Sequence, residues 1–551
     1  MVHVITERCC NEASCVAVCP VDCIHPRPDE PEYLTAEMLY IDPQACIDCG
    51  ACVAACPVDA IVADFEDGLP KTFDQFGELN ARYYAEGATP PASPLTTRGG
   101  KVATSLRVAV VGSGPAAQYA ASELLDAGDV SVDMFERLPV PGGLLRYGVA
   151  PDHEGTKGVQ ATFARMRRRP NFRMFLNVEV GVDITAEQLA ERYHAVIYAV
   201  GARSDRRLGI PGEDLEGSHS ATDFVSWYNG HPDFADRSFD LSGERAVVVG
   251  NGNVALDVAR ILAAEPDTLA KTDIADHALE ALRSSNIREI VVIGRRGPAE
   301  AAFTTPELID LAAHDDFDVV VDVDSIAAFR ALQAEDSLSL SDYKVNVLDQ
   351  IAAKAAGRDR RVVLKFLASP EEIVGAERVE GVRLSRNELT GDGHSIQPAA
   401  SGDSEVLDAR LVLRAVGYRS DAVEGVPFDA QRGVVPNEDG RVIDPDTGEV
   451  VTGAYVAGWI RRGPTGGIGV NKHSALETID MLLSDHAAGR LRAPVVDAAD
   501  LAQLLPGHID AAGARAIEES ETTAGAAQAR PRVKIVDTRR MLELARPGGS
   551  A

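Results

Sequence analysis

The chain has 551 residues, 45% hydrophobic and 25% charged, which is too long for one core and sets an expectation of two to four domains. A net charge of −30 argues against nucleic acid or anionic membranes as partners, because carboxylates repel phosphates at range. No uncharged apolar run approaches the roughly 18 residues of a membrane span, and the opening MVHVITERCC lacks a signal-peptide profile, so a cytoplasmic location is expected.

All nine cysteines fall between Cys9 and Cys56. Their odd number and tight spacing argue against disulfides, and the long remainder of the chain has no dithiol chemistry available to it. The run Cys46-x2-Cys49-x2-Cys52-x3-Cys56-Pro57 has the spacing in which three thiolates hold one iron–sulfur cluster and the fourth reaches a second. CPVDCI at 19–24 recurs as CPVDAI at 56–61, an offset of 37. Exchange of the last cysteine between halves gives one set of Cys9, Cys15 and Cys56, and another of Cys19, Cys46, Cys49 and Cys52. The same offset sets Glu12 opposite Cys49, so the first set is one ligand short. Three thiolates suit a [3Fe–4S] cluster, while Cys10 as a fourth would give [4Fe–4S]; the second set suits [4Fe–4S]. Cys23, opposite Ala60, reads as a packed thiol. Over residues 1–66 this pattern resembles the seven-iron bacterial ferredoxins, departing from them in a shorter Cys9–Cys15 spacing and the extra Cys10. Residues 1–70 carry 13 acidic and 2 basic side chains, a net of −11, which suggests docking to a basic surface.

Residues 71–104, centred on GATPPASPLTTRGG, read as an extended tether. Beyond it the apolar strand RVAVVG meets Gly112-Ser113-Gly114 and a helix, and a second strand ends in Glu136. Glycines there allow a pyrophosphate close to a helix N-terminus, and a terminal acid accepts from a ribose diol and repels a 2′-phosphate, so this cradle suits FAD or NAD. A second unit, RAVVVGNGNVALDVARIL, ends its next strand in Arg295-Arg296, the guanidinium pair expected for NADP. The long interval before it predicts an inserted helical excursion over 266–286. YAVGA (198–202) and LRAVGYR (413–419) read as matched passages into and out of an inserted domain. The expected order is therefore an FAD domain over 105–203, an NADP domain over 204–417, and the rest of the FAD domain with an extension over 418–551. In GWIRRGPTGGIGVNK the amides of Gly466, Gly467 and Ile468 precede a helix and can face a flavin, with Trp459 as a stacking candidate.

VGSGPAA, GVAPDH, GNGNVALDVARIL, GRRGPAEAAFTTPEL and GWIRRGPTGGIGVNK together make residues 105–540 resemble the adrenodoxin-reductase-like ferredoxin–NADP reductases. With the N-terminal segment, the chain resembles the fused ferredoxin/ferredoxin–NADP reductases of actinomycetes. The resemblance implies an α+β two-cluster ferredoxin domain followed by an α/β reductase with two Rossmann-like domains, the NADP domain inserted in the FAD domain. It implies FAD contacts at Ala116, Glu136, Leu144, Val180, Trp459 and Gly466 to Ile468. It implies NADP contacts at Arg206, Asn251, Gly252, Asn253, Val254, Arg295, Arg296, Glu307 and Gly466, with His153 and Asp310 near the nicotinamide. Electrons would pass from NADPH through FAD to the clusters, then to free ferredoxin or a downstream acceptor such as a monooxygenase system. PGGLLRYG is also similar to the small subunit of glutamate synthase, which keeps a synthase-bound electron donor as an alternative, beside a non-enzymatic redox sensor. The basic run Arg165, Arg167, Arg168 and Arg169 is a candidate docking site for the ferredoxin domain or a free ferredoxin.

Overall fold

The 37-residue repeat is visible in the backbone of the N-terminal unit. In the computed structural model, which describes residues 3–64, 69–85, 102–332, 339–390 and 397–546, helices Ser14–Val18 and Ala51–Ala55 occupy equivalent places. Each starts from a left-handed residue, Ala13 (φ 65°) or Gly50 (φ 68°), and each ends on an extended cysteine, Cys19 or Cys56. Cys23 N donates to Cys19 Sγ at 3.4 Å, and Ala60 N donates to Cys56 Sγ at 3.3 Å. Two short antiparallel pairs complete the unit, His3–Ile5 with Ile61–Ala63 and Ile24–His25 with Tyr40–Ile41.

The expected tether over 71–104 is corrected in its first part. Phe73–Ala85 is a helix whose Phe76, Leu79 and Asn80 are fully buried. Asn80 Oδ1 accepts from Ile41 N at 2.8 Å and its Nδ2 donates to Ile5 O at 2.9 Å, so one amide ties the two strand pairs together. Tyr83 stacks on Tyr40 with ring centroids 4.3 Å apart. Phe76, Leu79 and Tyr83 at three- and four-residue spacing form an apolar stripe, and burying it outweighs the polar composition around it. The Pro/Gly-rich part of the expected tether, 86–101, lies outside the described residues.

The first large sheet has seven strands in the order Asn437–Glu438, Arg441–Ile443, Val450–Val456, Ala195–Tyr198, Val102–Val111, Gly128–Glu136 and Phe172–Leu176. Its last five strands are parallel. Val108 and Val110 enter one apolar cluster while Ala109 and Val111 enter another, which is why this strand reads as an unbroken apolar run. Between Tyr198 and Asn437 the chain leaves this sheet and builds a second, all-parallel one. Its order is Ser218–Ser220, Leu411–Arg414, Arg245–Val249, Glu289–Ile293, Arg361–Lys365 and Asp318–Val321. The two passages between sheets pair with each other as Ser204–Asp205 and Tyr418–Arg419. The helical excursion expected over 266–286 is present as Pro266–Leu269 and Asp276–Arg283.

The N-terminal unit is wedged against both sheet bodies. On the first, Lys472 pairs with Glu12 at 2.5 Å and Gly469 N donates to Cys10 O at 2.8 Å. On the second, Lys344 pairs with Glu37 at 3.0 Å and Tyr343 Oη donates to Gln75 O at 2.9 Å. The C-terminal helices Ala511–Ala526 and Thr538–Ala545 fold back over the loop at 138–153. There Glu521 meets Arg146 at 2.5 Å, and the buried Lys534 reaches Asp273 of the second body at 3.1 Å.

Candidate functional site

Both glycine cradles form as the sequence predicts. Val102–Val111 runs into Gly112 and the helix Pro115–Asp126, and Arg245–Val249 runs into Gly250 and the helix Asn253–Ala263. Gly112 (φ 103°) and Gly250 (φ 116°) are needed for the turn. A Cβ there would sit 2.5 Å from Ala199 O or 2.3 Å from Ala415 O. Gly114 and Gly252, at the helix N-caps, have nothing within 4 Å of an added Cβ, which leaves the space a pyrophosphate occupies.

The strand tips differ. Glu136 is buried, and its carboxylate accepts from Ser113 Oγ at 2.6 Å, Ser113 N at 3.1 Å and Leu138 N at 3.0 Å. It therefore braces its own cradle. Arg295 and Arg296 at the other tip are both exposed, and neither makes an ion pair among the described residues. Asn251 Nδ2 beside them is buried without a hydrogen-bond partner, and Asn253 Oδ1 accepts from Thr304 N at 2.8 Å. Arg206 is also exposed but stands at the crossing between the sheets, where its N donates to Gly417 O at 3.0 Å. Val254 lies in the first turn of the second cradle's helix.

Ala116, Trp459 and Gly466 to Ile468 come together around the first cradle. A Cβ on Gly458 would meet Ala116 Cβ at 2.6 Å, which sets the turn before Trp459 against the cradle helix. Trp459 Nε1 donates to Thr465 O at 3.1 Å, and its ring lies 5.3 Å from that of Tyr418. Gly466 and Gly467 are exposed at the start of the helix Ile468–Ala487. Leu144 follows Gly143, whose added Cβ would lie 2.9 Å from Gly114 Cα, and Val178 N donates to Glu136 O at 2.9 Å, bringing Val180 to the same strand end.

Between the cradles lies a group of charged residues. His153 Nε2 is 3.7 Å from Asp310 Oδ2, its Nδ1 is 3.9 Å from Asp257 Oδ1, and one ligand-type atom each of His153, Glu307 and Asp310 lies within 4.8 Å of the others. Burial and the Arg260 charge both oppose protonation of His153, yet Asp310, Asp257 and Glu307 outweigh them and hold its pKa up at about 9. Burial pushes Glu307 upward. Asp310 is held below its ordinary value, with burial opposing and the His153 hydrogen bond and Arg260 charge prevailing.

Sequence reading missed Arg260, the centre of this group. It is 1% exposed and bonds Asp152 bidentately (Nε 2.7 Å, Nη2 3.0 Å) and Asp257 at 2.7 Å, with Nη1 3.9 Å from both Glu307 and Asp310. It ties the 138–153 loop to the second cradle's helix. The signal was an Asp and an Arg three apart inside an otherwise apolar helix, too polar a pair for a purely packed face. Glu37 was missed as well. It accepts from Thr305 N at 2.7 Å, at the first turn of the helix Thr305–Ala313, which has no side-chain cap of its own. That helix carries Glu307 and Asp310, so the N-terminal unit caps an element of this site. A buried oxygen of Glu7, without a hydrogen-bond partner, belongs to a carboxyl raised by burial and by the Asp310 charge.

The cysteines gather in two sets. Cys19, Cys46, Cys49 and Cys52 line one cavity together with Cys23, whose Sγ is 3.5 Å from that of Cys19. Cys15 lies within electrostatic reach of Cys9 and Cys56. Burial pushes Cys9 and Cys52 up to about 11 and raises Cys15 as well, as it does the Cys10 and Cys23 thiols. Cys10 belongs to the apolar cluster of the first body with Val58, Ala116 and Tyr119. Glu12, opposite Cys49 in the repeat, is held by Lys472.

The expected docking of the N-terminal unit on the arginine run is corrected. Arg167 donates to Gln118 and Arg169 to Leu125 O and Asp126, all on the first cradle's own helix, while the N-terminal unit is held by Lys472 and Lys344.

Residues 106–294 match the family described as pyridine nucleotide-disulphide oxidoreductase, and 39–62 match the 4Fe-4S binding domain. The chain is 49% identical to a "probable ferredoxin/ferredoxin–NADP reductase" of Mycobacterium bovis, over 99% of this chain and 95% of that one. The chain belongs to the ferredoxin/ferredoxin–NADP reductase family. It is also 38% identical to the mitochondrial NADPH:adrenodoxin oxidoreductase of Salvelinus fontinalis, over 81% of this chain and 92% of that one. The solved structure of Mycobacterium tuberculosis FprA in complex with NADPH is 46% identical, with a TM-score of 0.75, covering 80% of this chain and all of that chain. Within the family, the reductase fold is thus shared with proteins shorter than this one. The disulphide in the first family's description has no counterpart here, since no cysteine follows Cys56.

Proposed function

We propose that this chain transfers electrons from NADPH, through FAD at the Glu136 cradle, to two iron–sulfur sites in its N-terminal unit, and so to ferredoxin or another one-electron acceptor. The observation that carries the reading is the pair of cradles with opposite strand tips: a buried, self-braced carboxylate on one, and on the other two exposed guanidiniums without an ion pair among the described residues. The boundaries follow as a ferredoxin unit over 3–85, an FAD body split over 105–203 and 418–551, and an NADP body over 204–417. When bound, FAD accepts a hydride and releases two electrons singly, and each cluster carries one electron. Per NADPH, two acceptors are reduced and one proton is released.

His153, charged at neutral pH, holds a proton beside the place between the cradles where a nicotinamide must lie, and Asp310 fixes its orientation. Arg260 keeps Asp152, and with it the His153 loop, against the NADP-side helix. Arg295 and Arg296 bind the 2′-phosphate; Gly466 and Gly467 leave the flavin side open. Lys472 holds Glu12 out of the ligand set, so Cys9, Cys15 and Cys56 suit a [3Fe–4S] cluster, or a [4Fe–4S] cluster where Cys10, within electrostatic reach of Cys9 and Cys56, joins them; Cys19, Cys46, Cys49 and Cys52 suit a [4Fe–4S] cluster. Anaerobic NADPH titration with flavin and iron analysis tests this. One FAD and about seven or eight irons per chain, bleached by NADPH and far more slowly by NADH, are expected. A colourless protein, or one bleached equally by NADH, would refute the reading.

A further inference from the structure

The two faces of the N-terminal unit are unequal. Its inner face is covered: Gly155 and Gly158 approach Val58 O and Pro57 O, Gly469 approaches Asn11 O, and Lys472 holds Glu12. Among the described residues, its outer face is not. Val18, Val21 and Ile47 are 42%, 37% and 59% exposed, among the few large apolar side chains left in solvent. Val21 and Ile47 line the same cavity as Cys19, Cys46, Cys49 and Cys52, and Cys49 itself is exposed.

Charge around this patch has one sign. Asp22 and Asp48 adjoin Val21 and Ile47 in sequence and are partly exposed, Asp22 paired with Arg27 at 2.8 Å and Asp48 with His3 at 2.7 Å. The only arginine or lysine side chains in residues 3–64 are Arg8 and Arg27, and the two histidines, His3 and His25, are buried against Asp48 and Glu30. Arg27 is buried and paired with Asp22 and Asp29; Arg8 lies against Gly155 on the inner face. An exposed apolar centre with a rim of a single sign is the make-up of a protein interface, and the rim selects the opposite sign.

We propose that the face formed by Val18, Val21, Ile47 and Cys49 is the docking surface for a soluble one-electron redox protein whose own apolar contact is ringed by lysine and arginine. The proposal rests on reading the second cysteine set as an iron–sulfur site. Two partner molecules dock in turn for each NADPH oxidised, each leaving with one electron, and one proton goes to solvent.

Cytochrome c, a basic one-electron acceptor, is the probe. Hydrogen exchange on the wild-type holoenzyme at low salt should show protection over 17–21 and 46–50 when oxidised cytochrome c is added. Ile47→Lys and Val18→Lys should each raise the KM for cytochrome c about fivefold and weaken that protection, with NADPH-driven reduction of a small dye unchanged. Val18→Lys lies outside the cysteine cavity and keeps the test open if Ile47→Lys loses iron. Protection confined to other segments, or an unaltered KM in both variants, would overturn the assignment. Wild-type iron too low for two clusters would overturn the underlying cysteine reading instead, and the iron assay tells the two failures apart.

Discussion

The two glycine cradles share a turn, a helix start and a glycine whose Cβ would strike a neighbouring strand's carbonyl, yet their strand tips carry opposite charge. Glu136 spends its carboxylate's hydrogen bonds on Ser113 and Leu138, holding the first cradle in shape; the exposed guanidiniums of Arg295 and Arg296 make none among the described residues. Backbone geometry selects a dinucleotide, and one or two side chains at the tip select which one.

Reversing the second tip should break the difference most severely. Arg295→Glu with Arg296→Glu is expected to lower kcat/KM for NADPH about 1,000-fold and change that for NADH only a few-fold, since two charge-assisted contacts become repulsions. Steady-state kinetics with both nucleotides would show it, and equal losses would place the phosphate elsewhere. The shared backbone is tested next. Gly250→Ala should cost about 3 kcal/mol, because the new Cβ meets Ala415 O, whereas Gly252→Ala should keep the melting temperature and raise the KM for NADPH.

The group between the cradles responds to pH. His153 is raised from 6.5 to about 9, so the stability it contributes is complete below pH 6.5 and is lost as pH rises through 9. The loss should be about 3 kcal/mol, and thermal melts of His153→Gln should lack that slope. The smallest change is at the first tip. Glu136→Gln places an amide among N–H and O–H donors and should weaken FAD retention about tenfold with the fold intact, read by flavin release.

Much of this arrangement is legible in the residues because it depends on local chemistry. The 37-residue offset carries over to paired left-handed residues at Ala13 and Gly50 and paired N–H···S bonds at Cys19 and Cys56. Both cradles follow from strand, glycine and helix in order. The misses are long-range. The helix Phe73–Ala85 is announced by Phe76, Leu79 and Tyr83, but composition alone hides it among polar neighbours. Arg260 gains its meaning from Asp152, 108 residues earlier, and Glu37 from Thr305, 268 residues later; no periodicity reports such a meeting. The arginine run misleads as to the N-terminal unit, which is held by Lys472 and Lys344 instead, while Arg167 and Arg169 bond the first cradle's helix.

The paired passages Ser204–Asp205 and Tyr418–Arg419 have the form of a hinge between two swinging halves. With Glu12 fastened to one half and Glu37 to the other, the N-terminal unit acts as a strut across the gap. Any swing of the halves about those passages therefore has to break the Lys472–Glu12 pair or the Lys344–Glu37 pair.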